Sequence, residues 1–394
     1  MTDPVIDTAA VARIGTAVHG RDSLDAAALD VSIIRAVPVT PTRAETYAID
    51  ALLDDDAERS RTPLGALLTG VAAGSLRPAG LLAALLAPPV AGRRRIDSLL
   101  EAHRTVDPGP VRDLSSLLLR AADSTQVRTL ADRFRFVEPR FLDGDRIDTA
   151  SDPVRFTLTE VRERGIAQGR ADDCWLLAGI GATAAVDVES VRGNITVHAN
   201  GTYTVTVYRN RKPVRVTVTG WVPRNEHGRA VYAGRRSGGG RAPSWLSIYE
   251  KAAAQVLGDG SYAGLTAGRP STGISAVTGR PTDFLSTSPL PFTGSRTLAR
   301  VQQALDDRQP VSALTTWRIT DDSISSWHVY YVAGIRGDRI VVQNPWGRGG
   351  SGTDANVAGT LLLTEDEFDR TFAWASAGRS RPGRRGLRRR RARS

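Results

Sequence analysis

From residue 44 onward, apolar positions recur at helical spacing. Ala44–Asp55, Ile96–His103 and Val111–Ala122 each gather them on one face. The last stretch follows Pro108-Gly109-Pro110, a context that starts helices. Prolines interrupt the region repeatedly, so residues 1–150 read as mostly helical, with several short elements. Beyond about residue 150 the texture changes. Cys174–Ala185 is an apolar run of helical length behind Asp172-Asp173, acids of the kind that cap a helix and suit its positive end. Asn194–His198, Thr202–Tyr208 and Val214–Val222 then alternate as strands do, with Arg209-Asn210-Arg211-Lys212 turning between the last two. Helices are predicted over Ser244–Leu257, behind the flexible loop Ser237-Gly238-Gly239-Gly240, and over Leu298–Asp306. Strands His328–Ile335 and Arg339–Gln343 are joined by Gly337-Asp338, a hairpin turn. Leu361–Leu363 adds a strand, and Glu365–Phe372 a short closing helix.

At 394 residues, 41% apolar and 24% charged, the chain has material for two or three structural units with a sizeable core. Its formal charge of +10 suggests nucleic acid until it is mapped. Arg379–Ser394 holds nine arginines and no acid, so the rest carries 10 − 9 = +1. The basicity belongs to a tail, residues 377–394, too polar to fold. It is expected to be disordered and open to a polyanion or acidic partner, or simply solvated. The start, Met1-Thr2-Asp3-Pro4, lacks a basic or apolar leader. The apolar run Ala79–Val90 is too short for a bilayer and contains Pro88-Pro89, so no transmembrane segment is expected. The expected location is the cytoplasm, with export lacking a cleaved signal left open.

The single cysteine, Cys174, removes internal disulfides and cysteine-rich zinc sites. A lone cysteine is more often a small buried hydrophobe than a nucleophile, so its neighbours decide. A thiol with its ordinary pKa of about 8.5 is activated by a helix N-terminus and an adjacent imidazolium. Cys174 stands at a predicted helix start. His328 opens a strand from which its ring can enter a cleft, and Asn344 ends the next strand of the hairpin, close enough to fix the imidazole. Trp346 offers an indole to shield that bond, and Gln168 an amide for an oxyanion beside the Cys174 N–H.

Gln168-Gly169-Arg170-Ala171-Asp172-Asp173-Cys174-Trp175-Leu176-Leu177 resembles the active-site segment of calpains, Gln-Gly-x-x-Gly-Asp-Cys-Trp-Leu-Leu. Trp245 with Glu250-Lys251-Ala252, then Gly260-Ser261-Tyr262, resembles a second calpain segment. Trp327-His328-Val329-Tyr330 falls where that family has Gly-His-Ala-Tyr, and Asn344-Pro345-Trp346-Gly347 matches Asn-Pro-Trp-Gly. Leu363–Phe372 resembles the acidic-aromatic segment closing the calpain core. The resemblance covers about 160–375 in the family's order. It implies an α+β, papain-like core of two subdomains: a helical one carrying Cys174 (151–280) and a β-rich one carrying His328 and Asn344 (281–376), preceded by the helical region 1–150. It further implies peptide-bond hydrolysis in protein substrates by Cys174, His328 and Asn344 through an acyl-enzyme, with Gln168 at the oxyanion and Asp173, Trp175 and Trp346 in support. The helical region would be a prodomain, a targeting module or a partner-binding unit.

Two departures stand near the chemistry. Asp172 replaces a glycine and adds charge beside the thiol, which would raise its pKa. Trp327 replaces the glycine before the histidine and would narrow the cleft. Calcium binds many calpain cores, but two acids of the first calcium site fall at Gly165 and Pro243, and an acid of the second at Gly350. A hard cation needs several oxygen ligands, so the core is expected to work without calcium and with no cofactor. Two other readings remain: an inactive binding module that keeps the fold, and a cysteine-dependent acyl transferase, against which Asn344 counts because those enzymes usually carry Asp.

Overall fold

The computed structural model describes residues 39–53, 61–162, 165–237, 240–285, 296–317, 319, 324–347 and 359–379. The described residues from Pro41 onward belong to one compact unit. The arginine-rich stretch 380–394 and Gly350 lie outside the described residues.

Among the described residues this unit opens with six helices: α1 (Arg43–Asp50), α2 (Arg61–Ala72), α3 (Pro78–Leu86), α4 (Val90–Val106), α5 (Pro108–Ala121) and α6 (Ser124–Arg133). Their starts are locally encoded. Thr42 and Asp123 close capping boxes with Glu45 and Gln126, while Asp107 accepts the Gly109 N–H and Pro108 takes the first position of α5, where a missing N–H costs nothing. Their apolar faces share one core, which includes Leu81, Ile96, Leu118, Leu130 and Phe136.

The next stretch builds the cysteine-bearing half. Helix α7 (Cys174–Arg192) is mostly buried and is kinked at Asp187. It is long and apolar enough to cross a membrane, yet 67% of its most apolar window is buried inside the protein, as expected of a core helix. Strands β2 (Ile195–Val197), β3 (Tyr203–Arg209) and β4 (Lys212–Val218) form an antiparallel meander. Asn210 and Arg211, both in the left-handed region at φ 51° and 64°, make its second turn. The second turn of the meander therefore asks of Arg211 a conformation that asparagine tolerates better. A smaller sheet joins β1 (Ile166–Ala167), β5 (Gly234–Ser237) and β6 (Gly240–Ala242). Ser237 and Gly240, the ends of the expected flexible loop, pair with each other across β5 and β6, while Gly238 and Gly239 lie outside the described residues. Helices α8 (Trp245–Val256) and α9 (Pro270–Thr278) complete this half. Gly179 of α7 and Gly273 of α9 meet backbone to backbone: a Cβ on Gly179 would lie 2.2 Å from the Gly273 carbonyl carbon.

After Gly279, which ends α9 at φ 67°, the chain enters a six-stranded antiparallel sheet of order β11-β10-β9-β8-β12-β7. Its strands are β7 (Thr282–Leu285), β8 (Val311–Thr315), β9 (Val329–Arg336), β10 (Arg339–Gln343), β11 (Thr360–Leu363) and β12 (Phe372–Gly378). Helices α10 (Thr297–Asp306) and α11 (Glu365–Thr371) cover one face, with Val301, Phe368 and Phe372 in the core between. Helix α7 packs against β9 on the other side. Residues 377–379, expected in the tail, are held by the sheet instead. Ala377 and Gly378 pair with β7, and Arg379 donates to Asp283 at 2.7 Å, because the strand's ladder bonds continue to the Pro281 carbonyl.

The opening helices dock on the cysteine-bearing half. Asn200 Nδ2 donates to the Leu119 and Ala122 carbonyls at the end of α5, and the Thr217 N–H to Ser116 Oγ. Trp221 is buried among the helical side chains. Deepest in this seam lies an ion pair between Lys251 of α8 and Glu138, both buried. Lys251 Nζ also donates to Thr219 Oγ1 and to the Trp221 carbonyl at 2.8 and 2.7 Å.

Candidate active site

Cys174 is the first residue of α7 and is half-buried. Asp173 occupies the N-cap position, but its side chain caps nothing: φ −114° and ψ 30° turn the carboxyl away from the first turn. The capping expected of this acid therefore does not occur; the carboxyl is wholly buried beside Glu250 instead. Trp175 packs its indole into the core and donates from Nε1 to the Leu265 carbonyl at 2.8 Å.

Across from this helix end, β9 and β10 carry the other groups. His328 precedes β9 and Asn344 follows β10, so the hairpin register brings them together. Nε2 of His328 and Oδ1 of Asn344 are 2.9 Å apart, both buried. Asn344 Oδ1 also accepts the Trp346 N–H at 2.9 Å, which identifies it as the acceptor in both bonds. Nε2 then carries the imidazole proton, and Nδ1 is the basic nitrogen. The Trp346 indole lies against the His328 ring, centroids 4.3 Å apart, and keeps 38% of its own surface exposed. Tyr330 stands edge-on to the same ring, and its hydroxyl receives Asn344 Nδ2 at 3.5 Å.

Gln168 joins the two walls. Its N–H donates to the Pro345 carbonyl at 2.8 Å, and its side-chain Nε2 to the Ala171 carbonyl at 2.7 Å. One of its two amide protons is thus engaged, leaving the second for another acceptor. Among the described residues, no hydrogen bond joins the Cys174 thiol to His328.

Burial dominates the electrostatics. It pushes the Cys174 thiol up to about 11; the negative charges of Asp173 and, more weakly, Asp172 add to this, while the Val329 and Trp175 N–H groups oppose it. The lowering expected from the helix end is outweighed. Burial also pulls His328 down to about 4, with the Asn344 bond opposing. At neutral pH the thiol at the start of α7 and the imidazole before β9 are therefore both uncharged. Trp327 does not fold over the cleft groups as a bulky glycine replacement suggests. It adopts φ 51° and leaves 69% of its surface in solvent.

Sequence reasoning passed over Glu250 as a member of a motif. It is fully buried, accepts the Ala233 N–H at 2.8 Å and faces Asp173. The available signal was its place, with Lys251, inside an otherwise apolar helix, where charged residues occur chiefly as paired groups.

A helix that opens with a cysteine, packed against an antiparallel sheet bearing a histidine and an asparagine, is the α+β architecture of a papain-like cysteine peptidase core. A family model described as calpain family cysteine protease matches residues 142–352, more than half of the chain, and the chain belongs to that family. Membership makes it a cysteine peptidase by class, with proteins as its substrates.

Proposed function

We propose that the chain is an endopeptidase that works through Cys174, His328 and Asn344. The observation that carries this reading is the 2.9 Å bond between His328 Nε2 and Asn344 Oδ1, which leaves Nδ1 as the base on the hairpin packed against the Cys174 helix. In the reaction Cys174 Sγ attacks the carbonyl carbon of the scissile peptide, and its proton passes to His328 Nδ1. The carbonyl oxygen becomes an oxyanion, held by the Cys174 N–H and the free proton of the Gln168 amide. The C–N bond breaks as the imidazolium protonates the leaving amine. Water, deprotonated by the same nitrogen, then attacks the thioester; the acid departs and the thiol is restored. Asn344 keeps the tautomer, and Trp346 shields its bond from water. Because the thiol and the imidazole rest as neutral partners, their conversion to thiolate and imidazolium belongs to substrate engagement.

Calcium has no part in this proposal. Gly165 and Pro243 supply no carboxylate where the resemblance to calpains places one, and a hard cation needs several oxygen ligands. The test is labelling by an epoxide thiol inhibitor at neutral pH without calcium, read by intact mass. One adduct on the wild type, and none on Cys174→Ala or His328→Ala, is expected. A wild type that stays unlabelled and leaves protein substrates intact, with or without calcium, overturns it. The neutral thiol favours one second reading, an inert calpain fold that binds a partner; a Cys174→Ala protein that keeps the biological effect would establish it.

A further inference from the structure

Two acids face each other behind the nucleophile, and neither meets a cation. Asp173 is fully buried, and among the described residues neither of its carboxyl oxygens has a hydrogen-bond donor; the acid that bears on it is Glu250. Glu250 is equally buried: Oε2 takes the Ala233 N–H, while Oε1 has no donor in the main chain or in a basic side chain. Charged and titratable neighbours come from every packed element. From β6, Arg241 spends its guanidinium on the Ala230 and Val231 carbonyls and acts on Glu250 at a distance. Lys251, next along α8, is committed to Glu138, Thr219 and Trp221. Tyr262 and Tyr232 stack beside the pair, and the Tyr262 hydroxyl lacks a partner. Asp172 adds negative charge from the α7 side.

Two buried carboxylates without a cation cannot both ionise, and one proton held between them removes the conflict. Glu250 is the holder: the shared bond favours charge on Asp173 and opposes it on Glu250. The proton has a conformational effect. Asp at an N-cap normally accepts N–H groups of the first turn, and these are the groups that Cys174 needs. The Trp175 N–H already supports its sulfur.

We propose that Glu250 is a positioning residue for the nucleophile: by donating a shared proton to Asp173 it keeps that carboxyl turned into the core, off the first N–H groups of α7. This rests on the reading of Cys174 as nucleophile. Gln at 250 mimics the protonated acid, its amide donating to Asp173 and its oxygen accepting from Ala233. Leu fills the space and donates nothing, which releases the Asp173 carboxyl to cap α7 and compete with the sulfur.

The experiment measures second-order alkylation of Cys174 by iodoacetamide in the full-length protein, from pH 6 to 10, beside thermal unfolding of each variant. Glu250→Gln is expected to react within threefold of wild type at neutral pH, and Glu250→Leu at least tenfold more slowly. Equal rates for a folded Glu250→Leu and the wild type overturn the proposal. So does a Glu250→Gln rate tenfold below wild type. Should Glu250→Leu not fold, Glu250→Met takes its place, with the same tenfold slowing expected and an equal rate overturning the proposal. A wild type whose thiol resists iodoacetamide even at pH 10 contradicts the nucleophile reading instead.

Discussion

Glu138→Ala tests the buried seam between the opening helices and the catalytic half. In the folded protein Lys251 is completely enclosed. Burial pulls its ammonium down, and Glu138 supplies the opposing attraction. Removing the carboxylate leaves a charge with neutral partners, the Thr219 hydroxyl and carbonyl and the Trp221 carbonyl. Breaking a buried pair by deleting one partner costs about 3–5 kcal/mol. A unit of this size shifts its midpoint by roughly 2–3 °C for each kcal/mol, so a fall of about 6–15 °C is expected. Thermal unfolding followed by circular dichroism at pH 7 reads it directly. The companion is Glu138→Met with Lys251→Met, which removes both charges while keeping similar volume; such replacements are often neutral or stabilising by about 1–4 kcal/mol. The reasoning is refuted if Glu138→Ala shifts the midpoint by less than about 2 °C, or if the double variant falls as far as the single one.

His328→Ala removes the base and should lower kcat/KM by about 10²–10⁴-fold, checked with a protein substrate. Because His328 is held near 4 when folded, against an ordinary value of about 6.5, the unfolded chain binds more protons between those values. Stability is therefore present above about 6.5 and lost as pH falls toward 4, by up to about 3 kcal/mol; urea midpoints at pH 7 and pH 4.5 should converge in His328→Ala. With the thiol raised to about 11, alkylation of the wild type should climb through neutral pH without the plateau that a resident thiolate gives. Trp327→Gly, at a left-handed residue with an exposed indole, should raise stability by about 1 kcal/mol through relief of backbone strain, read as a higher midpoint.

Local physics made much of this legible. The strands on either side of Gly337-Asp338 read as a hairpin, which brings His328 toward Asn344, but only β10 alternates in burial, and the register shift between Val341 and Val342 that completes the approach has no signal in the pattern. Cys174 at a helix start follows from the apolar run behind two acids. What the sequence withheld is tertiary. Asp173 looks like a cap from its neighbours, and only the packing of α8 against it supplies the acid that draws it inward. The rise at Cys174 and the fall at His328 come from enclosure, which no spacing encodes. Nor did the sequence give the strand ending of the arginine-rich region, since Ala377 and Gly378 are ordered by β7, nearly a hundred residues earlier.

The docking of α5 bears on how portable the catalytic half is. Asn200 sits in the β2–β3 turn, within the span shared with the calpain family, yet it closes off the end of a helix that lies outside that span. Thr217 and Trp221 lean on the same neighbour. A gene fusion cut at the edges of residues 142–352 would transplant a surface shaped for an absent companion, wet where it evolved dry. Recombination that moved this peptidase into a new protein would have had to carry the helices along, or rewrite that face residue by residue.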